Sequence, residues 1–366
     1  MTTDVAGLVL AGGLSRRMGG VDKPLIAVEG KTLLARVVER LAPQVGRMVL
    51  NANGDATRFA DFGLPVAADV VDGFAGPLVG VLTGLEWLRA NAPEVRSMVT
   101  VAADTPLFPD DLVARLAGAD GDIAMASSNG RTHPVFALWP VALADDLRRA
   151  VVDEGVRKIE AFTDRYRVAR IDWPDRPVDP FFNVNTPEDV IRLRMVLAGT
   201  LPAEPPVTAA MPVAVVVERR DTGNIWAPVS WRPIEVLPEP PTAAPWTRLK
   251  GDGTADVYLA SGLEMRLHRS DLASYRYNLA GVQPQVFVAL RRDGDDLRVV
   301  LVTAAPDEAQ GLAEGGDDVI EGLPMPAMVR DFVETFCACH PPEEPMRKRR
   351  RDRLDAEQTF TAGRRP

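Results

Sequence analysis

The sequence has few cysteines, no long apolar run and no excess of basic charge, and each lack excludes a class of protein. Cys337 and Cys339 are the only cysteines among 366 residues. They are too few for a disulfide framework, which favours a reducing compartment and a cytoplasmic location. No apolar run reaches the roughly 20 residues that cross a bilayer, so we expect no membrane partner. The start, MTTDVAGLVLAGG, lacks a basic segment, so we expect no secretory signal.

Charge and composition narrow the possibilities further. The net charge of −9 argues against nucleic acid as a partner, because a surface that binds nucleic acid is basic. Hydrophobic residues make up 46% of the chain and charged residues 25%, as in ordinary globular proteins. At about 150 residues per domain, the length is sufficient for two domains.

The first part of the chain alternates between strand and helix patterns. Val5–Leu10 and Met98–Ala103 are short apolar runs typical of buried strands, and Leu33 to Leu41 carries apolar residues at helical spacing. This rhythm predicts a Rossmann-like α/β fold, with a mainly parallel sheet and helices on both faces. Gly12, Asn51 and Asp104 follow three predicted strands, so we expect them to share one rim of the sheet.

The sequence divides into four segments. Residues 1–197 form the predicted α/β domain, and the proline-rich residues 198–212 read as a linker. Residues 213–340 show strand patterns separated by turns and a closing helix, which predicts a smaller α+β domain around an antiparallel sheet. Residues 341–366 have few apolar residues and a basic run, which predicts a disordered tail.

The strongest motif is the glycine-rich loop LAGGLSRRMGGVDK, from Leu10 to Lys23. Glycines let backbone N–H groups approach phosphate oxygens, and Arg17 and Lys23 can neutralise phosphate charge. The string is neither the Walker A pattern nor the dinucleotide G-x-G-x-x-G pattern. A plain glycine-rich turn with solvated arginines is the structural alternative.

The string LAGGxSxRMGxxDK resembles the signature loop of the nucleotidyltransferases that complete the molybdenum cofactor, in particular the molybdenum cofactor guanylyltransferase family. The likeness covers about residues 4–197, roughly half of the chain, and continues in order through later motifs. These are Asn51 in LNAN, Asp69 in AAD, Gly76 to Gly80 in GPLVG, Asp104 in AADTP, RTHP at 131–134 and NVNTP at 183–187.

The resemblance implies a fold of the nucleotide-diphospho-sugar transferase type and the transfer of GMP from GTP to molybdopterin-bound molybdenum, with Mg²⁺ as cofactor and pyrophosphate as product. It places Lys23, Asp104 and Arg17 in the reaction, with Mg²⁺ on Asp104. It assigns nucleotide and acceptor contacts to a larger set: Leu10, Ala11, Gly12, Gly20, Lys23, Asn51, Asp69, Gly76, Gly80, Asp104, Asn183 and Asn185.

Elementary chemistry agrees with these roles. Nucleotidyl transfer needs no protein nucleophile, so the protein supplies positioning and charge stabilisation. Mg²⁺ prefers hard oxygen ligands such as the Asp104 carboxylate, and a lysine suits a triphosphate. The Asp69 carboxylate can accept from the N1 and N2 hydrogens of guanine. In the structural alternatives Asp104 and Asn51 are turn residues, Asp69 is a surface acid, and Asn183 and Asn185 are helix caps.

Three rival functions remain open for the first domain. The same chemistry could use another base, although Gly12-Gly13 favours guanine over the LAAG-type loop typical of the cytidylyl relatives. A sugar-phosphate nucleotidyltransferase would share the fold, but usually needs a longer catalytic domain. A non-catalytic cofactor chaperone would hold the finished cofactor without turnover.

The second half carries weaker signals. Trp226, Trp231 and Trp246 lie in a proline-rich stretch, where packing is favoured over a partner surface. Cys337-Ala338-Cys339-His340 resembles a metal box, but residues two apart on a helix face opposite ways, which argues against a metal site. Residues 213–340 loosely resemble an uncharacterised bacterial domain that accompanies formate dehydrogenases. That resemblance implies delivery of the cofactor to an acceptor molybdoenzyme or its chaperone.

Overall fold

The computed structural model describes most of the chain, and a few sequence-predicted features fall outside it. The described residues are 4–12, 22–71, 76–225, 227–251, 254–293, 296–314 and 318–341. Arg17, Gly20 and Trp226 lie outside these residues, as does the predicted tail after residue 341. In the described ranges, no helix combines the length and apolar character that a membrane crossing needs.

The N-terminal half folds around a seven-stranded, mainly parallel sheet. Its elements are β1 (Val5–Leu10), β2 (Ala27–Val28), β3 (Lys31–Thr32), α1 (Leu33–Leu41), β4 (Arg47–Asn51), β5 (Val66–Ala67), α2 (Pro77–Asn91), β6 (Ser97–Ala102), α3 (Leu112–Ala117), β7 (Ile123–Ser128), β8 (Arg131–Pro140), α4 (Ala144–Val152), α5 (Ile159–Thr163), β9 (Val168–Trp173) and α6 (Pro187–Leu197). The strand order is β5-β4-β1-β6-β8-β7-β9, and β8 alone among them runs antiparallel to its neighbours. The predicted α/β class is confirmed.

Hydrophobic cores lie on both faces of this sheet. Alternate residues of β1 point to opposite faces, so Leu8 packs with α2, α4 and α5, whereas Val9 packs with α1 and α3. Both side chains are fully buried. Helix α1 begins after Thr32, whose hydroxyl accepts a 3.1 Å hydrogen bond from the N–H of Ala35 and so caps the helix. The helices therefore cover the sheet on both sides, as the strand–helix alternation predicts.

The C-terminal half is a smaller α+β unit with antiparallel sheets, as predicted. Its elements are β10 (Thr208–Asn224), β11 (Ala227–Leu237), β12 (Thr247–Gly251), β13 (Ala255–His268), α7 (Leu272–Leu279), β14 (Gln285–Asp293), β15 (Asp296–Thr303), α8 (Pro306–Ala313), β16 (Asp318–Pro324) and α9 (Ala327–Ala338). The strands form sheets in the orders β11-β10-β13-β12 and β15-β14-β16. Trp231 and Trp246 pack on Tyr258, with ring centroids 5.5 and 6.5 Å from the tyrosine ring.

The structure differs from the sequence-based prediction at two strands, β10 and β11, and both contain proline. Strand β10 begins at Thr208, inside the predicted linker 198–212, and pairs Pro212 with Glu264 of β13. Pro212 is tolerated because β10 lies at a sheet edge there, since β11 pairs with β10 only from Ala214 onward. Strand β11 itself was not predicted, and its pairing with β10 shifts register next to Pro233. Strands interrupted by proline lack the pattern that identifies them in a sequence.

The two halves are joined by charged contacts between α6 of the first and α7 and α9 of the second. Arg276 on α7 donates two hydrogen bonds to Glu188 on α6, at 3.0 and 2.7 Å. It also donates to the carbonyl oxygen of His340, just beyond α9. Arg192 on α6 donates to the carbonyl oxygen of Ala338 at 3.0 Å. Two arginines thus satisfy carbonyls at the negative end of the α9 dipole.

The end of α9 also contains the Cys-Ala-Cys-His segment. Both cysteines are free and buried, and burial raises the pKa of the Cys337 thiol to about 12. His340 Nδ1 lies 2.9 Å from the carbonyl oxygen of Phe336. No group of three His, Cys, Asp or Glu side chains suited to a metal occurs in the described part of the chain. The segment packs into the domain core and the interface with α6.

We expect Arg276→Ala to lower the free energy of unfolding of the second domain by about 1–3 kcal/mol, since Glu188 and buried carbonyls lose a charged donor. Urea unfolding measures the change. The matched control is Arg266→Ala, which removes an exposed pair with Glu264 that contributes about 0–1 kcal/mol. Equal losses in the two variants would contradict the structural role of Arg276.

We expect Cys337 and Cys339 to resist thiol reagents in the native protein at pH 8, because burial raises both pKa values and disfavours the reactive thiolate. Ellman's reagent should label about zero thiols in buffer and both in denaturing urea. Rapid labelling of either cysteine without denaturant would show that the end of α9 is accessible.

Candidate active site

The carboxyl ends of three neighbouring parallel strands form the floor of the site. Ala11 N–H, just after β1, donates to the carbonyl oxygen of Asn51 at the end of β4 at 2.9 Å. Ala103 N–H, just after β6, donates to the carbonyl oxygen of Leu10 at 3.0 Å. Asn51 therefore ends β4, and Gly12 and Asp104 come just after β1 and β6, at strand ends that lie side by side. The predicted shared rim is confirmed.

Lys23 links the end of β6 to the segment before α6. It begins the short 3-10 turn Lys23–Leu25, and its side chain is only 15% exposed. The ammonium donates to Asp104 Oδ2 and, at 2.5 Å, to Asn185 Oδ1. Three segments that are far apart in the sequence thus meet at one positive charge.

Asn183 and Asn185 come to this cluster from the segment before α6. The hydroxyl of Thr105 donates to Asn183 Oδ1 at 2.5 Å, next to Asp104. The start of α6 is capped by Thr186 and Asp189, which form a reciprocal capping box. Asp189 also accepts from the N–H of Asn185 at 2.8 Å. The two asparagine side chains are therefore not the helix caps, and they remain exposed at the rim.

The oxygen atoms in this cluster suit a hard divalent cation. Asp104 supplies a carboxylate, and Asn183 and Asn185 supply amide oxygens. Mg²⁺ is commonly held by one or two carboxylates together with water and substrate phosphates, rather than by a full protein cage. A single aspartate with adjacent amide oxygens fits that pattern.

The other side of the rim holds Asn51 beneath Asp69. The side chain of Asn51 is buried, and its amide donates to the carbonyl oxygen of Ala67 at 3.1 Å and to Asp69 Oδ1 at 2.8 Å. Both amide hydrogens are then used within the protein. Asp69 is half-buried, so its carboxylate can be reached from solvent. The buried Asn51 amide therefore holds the Asp69 carboxylate from the interior side.

Two glycines allow α2 to approach this side closely. A Cβ atom at Gly80 would lie 2.4 Å from Asn51 Oδ1 and 2.6 Å from Leu10 Cδ2, so no other residue fits there without displacement. Gly76 has φ +151° and precedes Pro77, the first residue of the helix. The GPLVG motif thus packs the start of α2 against the strand ends.

Sequence reasoning missed three residues that complete the site. Asn53 donates to Asp69 Oδ2 at 2.7 Å and accepts from the N–H of Asp69 at 2.8 Å. Arg58 donates to the carbonyl oxygen of Asn53 at 2.9 Å and to Asp22 Oδ2 at 2.6 Å. The second asparagine of LNAN and the acid of the Asp-Lys pair were signals for two of them, whereas Arg58 had none.

His133, the histidine of the RTHP motif, packs inside the domain. Its Nε2 lies 2.6 Å from Ser128 Oγ, and its ring stacks on Phe181 with centroids 4.7 Å apart. The hydroxyl of Ser128 also donates to Asp179 Oδ1 at 2.9 Å. Only 9% of His133 is exposed, which favours the structural role.

Comparisons with known proteins assign the two halves to different families. Residues 7–168 match the family described as MobA-like NTP transferase domain. Residues 212–350 match a family described as protein of unknown function (DUF3305). Molybdopterin-guanine dinucleotide biosynthesis protein A from Archaeoglobus fulgidus, a solved structure, is 25% identical and has a TM-score of 0.42, covering 53% of this chain and 99% of its own.

Two curated relatives are much more similar in sequence. A molybdenum cofactor guanylyltransferase from Bradyrhizobium sp. (strain ORS 278) is 58% identical over 193 residues, which is 52% of this chain and 91% of the relative. One from Rhodopseudomonas palustris (strain BisB5) is 58% identical over 50% of this chain and 89% of its own length. The chain belongs to the molybdenum cofactor guanylyltransferase family of nucleotidyltransferases, and it carries a second domain beyond the length of these relatives.

Proposed function

We propose that the first domain transfers GMP from GTP to molybdopterin-bound molybdenum, forming the guanine dinucleotide cofactor. A terminal phosphate oxygen of the acceptor attacks the α-phosphorus of GTP, the bond to the bridging oxygen of the β-phosphate breaks, and pyrophosphate leaves. The observation that carries the proposal is the convergence of Lys23, Asp104 and Asn185 on the same rim as Asp69. The side with Lys23, Asp104 and Asn185 suits phosphate groups, and the side with Asp69 suits the nucleotide base.

Each side of the rim has its own task in this proposal. The backbone from Leu10 to Gly12 and the charge of Lys23 hold the triphosphate, and Lys23 stabilises the negative charge that develops on pyrophosphate. Asp69 accepts from the N1 and N2 hydrogens of guanine, with Asn51 fixing its carboxylate. Arg17 keeps the role in the reaction that the motif implies, and Gly20 keeps its role as a nucleotide contact.

The acceptor would lie near α6 in this arrangement. Asn183 and Asn185 present exposed amide groups beside Asp104, where they can orient the acceptor phosphate. Asp104, with these amide oxygens, would hold Mg²⁺. When bound, the cation neutralises charge on the phosphates. Lys23 then lies between the triphosphate and the acceptor, because its ammonium contacts both Asp104 and Asn185.

We expect Asp104→Asn to lower kcat for GTP-dependent pyrophosphate release by about 10²-fold or more, because an amide would hold Mg²⁺ more weakly than a carboxylate and removes the charge that pairs with Lys23. The assay supplies molybdopterin cofactor and Mg²⁺. The matched control is Asp110→Asn, whose carboxylate is 82% exposed in the loop that follows, and which should keep wild-type rates. A wild-type protein that binds finished cofactor without any turnover would favour the chaperone function instead.

We further propose that the second domain delivers the cofactor to an acceptor molybdoenzyme, such as a formate dehydrogenase, in the cytoplasm. The curated relatives match over about 190 residues and most of their own length, so the chemistry does not need this domain. Its contacts with α6 support this proposal, because α6 begins directly after the segment of Asn183 and Asn185.

A chain that ends after Leu201 should therefore retain pyrophosphate release within about threefold but activate an apo-molybdoenzyme more slowly than the full chain. Reconstitution of apo-formate dehydrogenase, with free guanine dinucleotide cofactor as the control for the acceptor, measures the difference. Circular dichroism checks that the shortened chain is folded. Equal activation by both chains would exclude the delivery role.

A further inference from the structure

The carboxylate of Asp69 is held on both of its oxygens by amide side chains. Asn51 donates to Oδ1 at 2.8 Å, and Asn53 donates to Oδ2 at 2.7 Å. Asn53 also accepts from the N–H of Asp69 at 2.8 Å, so the two residues share a pair of hydrogen bonds. The next backbone N–H, of Val70, donates to the hydroxyl of Thr83 on α2 at 3.1 Å. Side chain and backbone of Asp69 are both fixed.

This arrangement matters because an aspartate carboxylate otherwise rotates easily. The χ2 torsion of aspartate has a broad energy well, so an unsupported carboxylate samples many orientations. A carboxylate offers about four acceptor positions, and the two asparagines fill two of them. One position on each oxygen is left in the same plane. Two parallel N–H donors on one edge of a base can bind there together.

Arg58 connects this base side to the phosphate side. Its guanidinium donates to the carbonyl oxygen of Asn53 at 2.9 Å and to Asp22 Oδ2 at 2.6 Å, and it lies 4.6 Å from the ring centroid of Phe59. Phe59 is buried, so the guanidinium makes a cation–π contact with a ring that is held in the core. Asp22 directly precedes Lys23. The segment that orients Asp69 is therefore tied to the segment that carries the phosphate-side lysine.

We propose that Asn53 is a positioning residue for base selection, which aligns both oxygens of Asp69 with the two N–H donors of guanine, and that Arg58 holds Asn53 in register with the Lys23 turn. This inference rests on the proposed use of GTP. Without Asn53, the buried contact from Asn51 still holds Oδ1, but Oδ2 loses its donor. The second oxygen is then free to turn away from the base.

The test compares GTP with ITP, whose base lacks the 2-amino group, in the full-length chain. We expect the wild type to prefer GTP roughly tenfold or more, because a hydrogen bond to a charged acceptor is lost with ITP. Asn53→Ala should raise the KM for GTP about tenfold and bring the GTP/ITP ratio of kcat/KM close to one, with less effect on kcat. Thr57→Ala, which removes a hydroxyl bonded to Asp55 in the same segment, is the matched control.

A merely structural role for Asn53 would lower the activity with both nucleotides equally and leave the GTP/ITP ratio unchanged, which would overturn the proposal. Arg58→Lys should lower the ratio less than Asn53→Ala does, because lysine keeps the charge but cannot span both partners. An unchanged ratio in Arg58→Lys and Arg58→Ala would remove Arg58 from the proposal.

Calorimetric titration of GTP and ITP into the full chain separates this inference from the proposed function. If the wild type releases no pyrophosphate but binds GTP more tightly than ITP, and Asn53→Ala loses that preference, the proposed reaction fails and the role of Asn53 stands. A wild type that binds both nucleotides equally, or neither, would overturn the role of Asn53 whatever the turnover.

Discussion

The contact of Lys23 with Asp104 and Asn185 is the interaction around which the site is organised. It joins the turn after β1, the end of β6 and the segment before α6, which are separated by 81 residues or more in the sequence. A lysine in this position is compensated by one carboxylate and one amide oxygen, and its side chain is mostly buried. Phosphate groups that enter the rim would meet a positive charge whose position is already fixed.

The Asp69 side of the rim depends on a different constraint, the close approach of α2 to the strand ends. Only glycine at position 80 lets the helix lie against Asn51 and Leu10. Asn51 in turn holds Asp69, and Thr83 of the same helix holds the backbone that follows. Arg58 then links this group to the Lys23 turn through Asp22. The Asp69 side and the Lys23 side of the rim are thus connected through one series of hydrogen bonds.

The second domain contacts the first through α6, the helix that begins next to the site. Asp189 caps α6 and accepts from the N–H of Asn185, while the neighbouring Glu188 binds Arg276 of the second domain. Burial lowers the pKa of Arg192, yet this arginine still donates to the end of α9. A domain of unknown function is therefore attached one helical turn away from the asparagines proposed to orient the acceptor.

The α/β fold of the first half and the rim of Gly12, Asn51 and Asp104 could be predicted from the sequence, because hydrophobic period and strand ends are local signals. The candidate site residues were identified from motifs that occur along the chain in the same order as in the family. The proline-interrupted strand β11, the burial of Asn51 beneath Asp69, and the link from Arg58 to Asp22 were decided only by the tertiary structure. Those features depend on contacts between distant segments, and no local pattern records which side chains will meet.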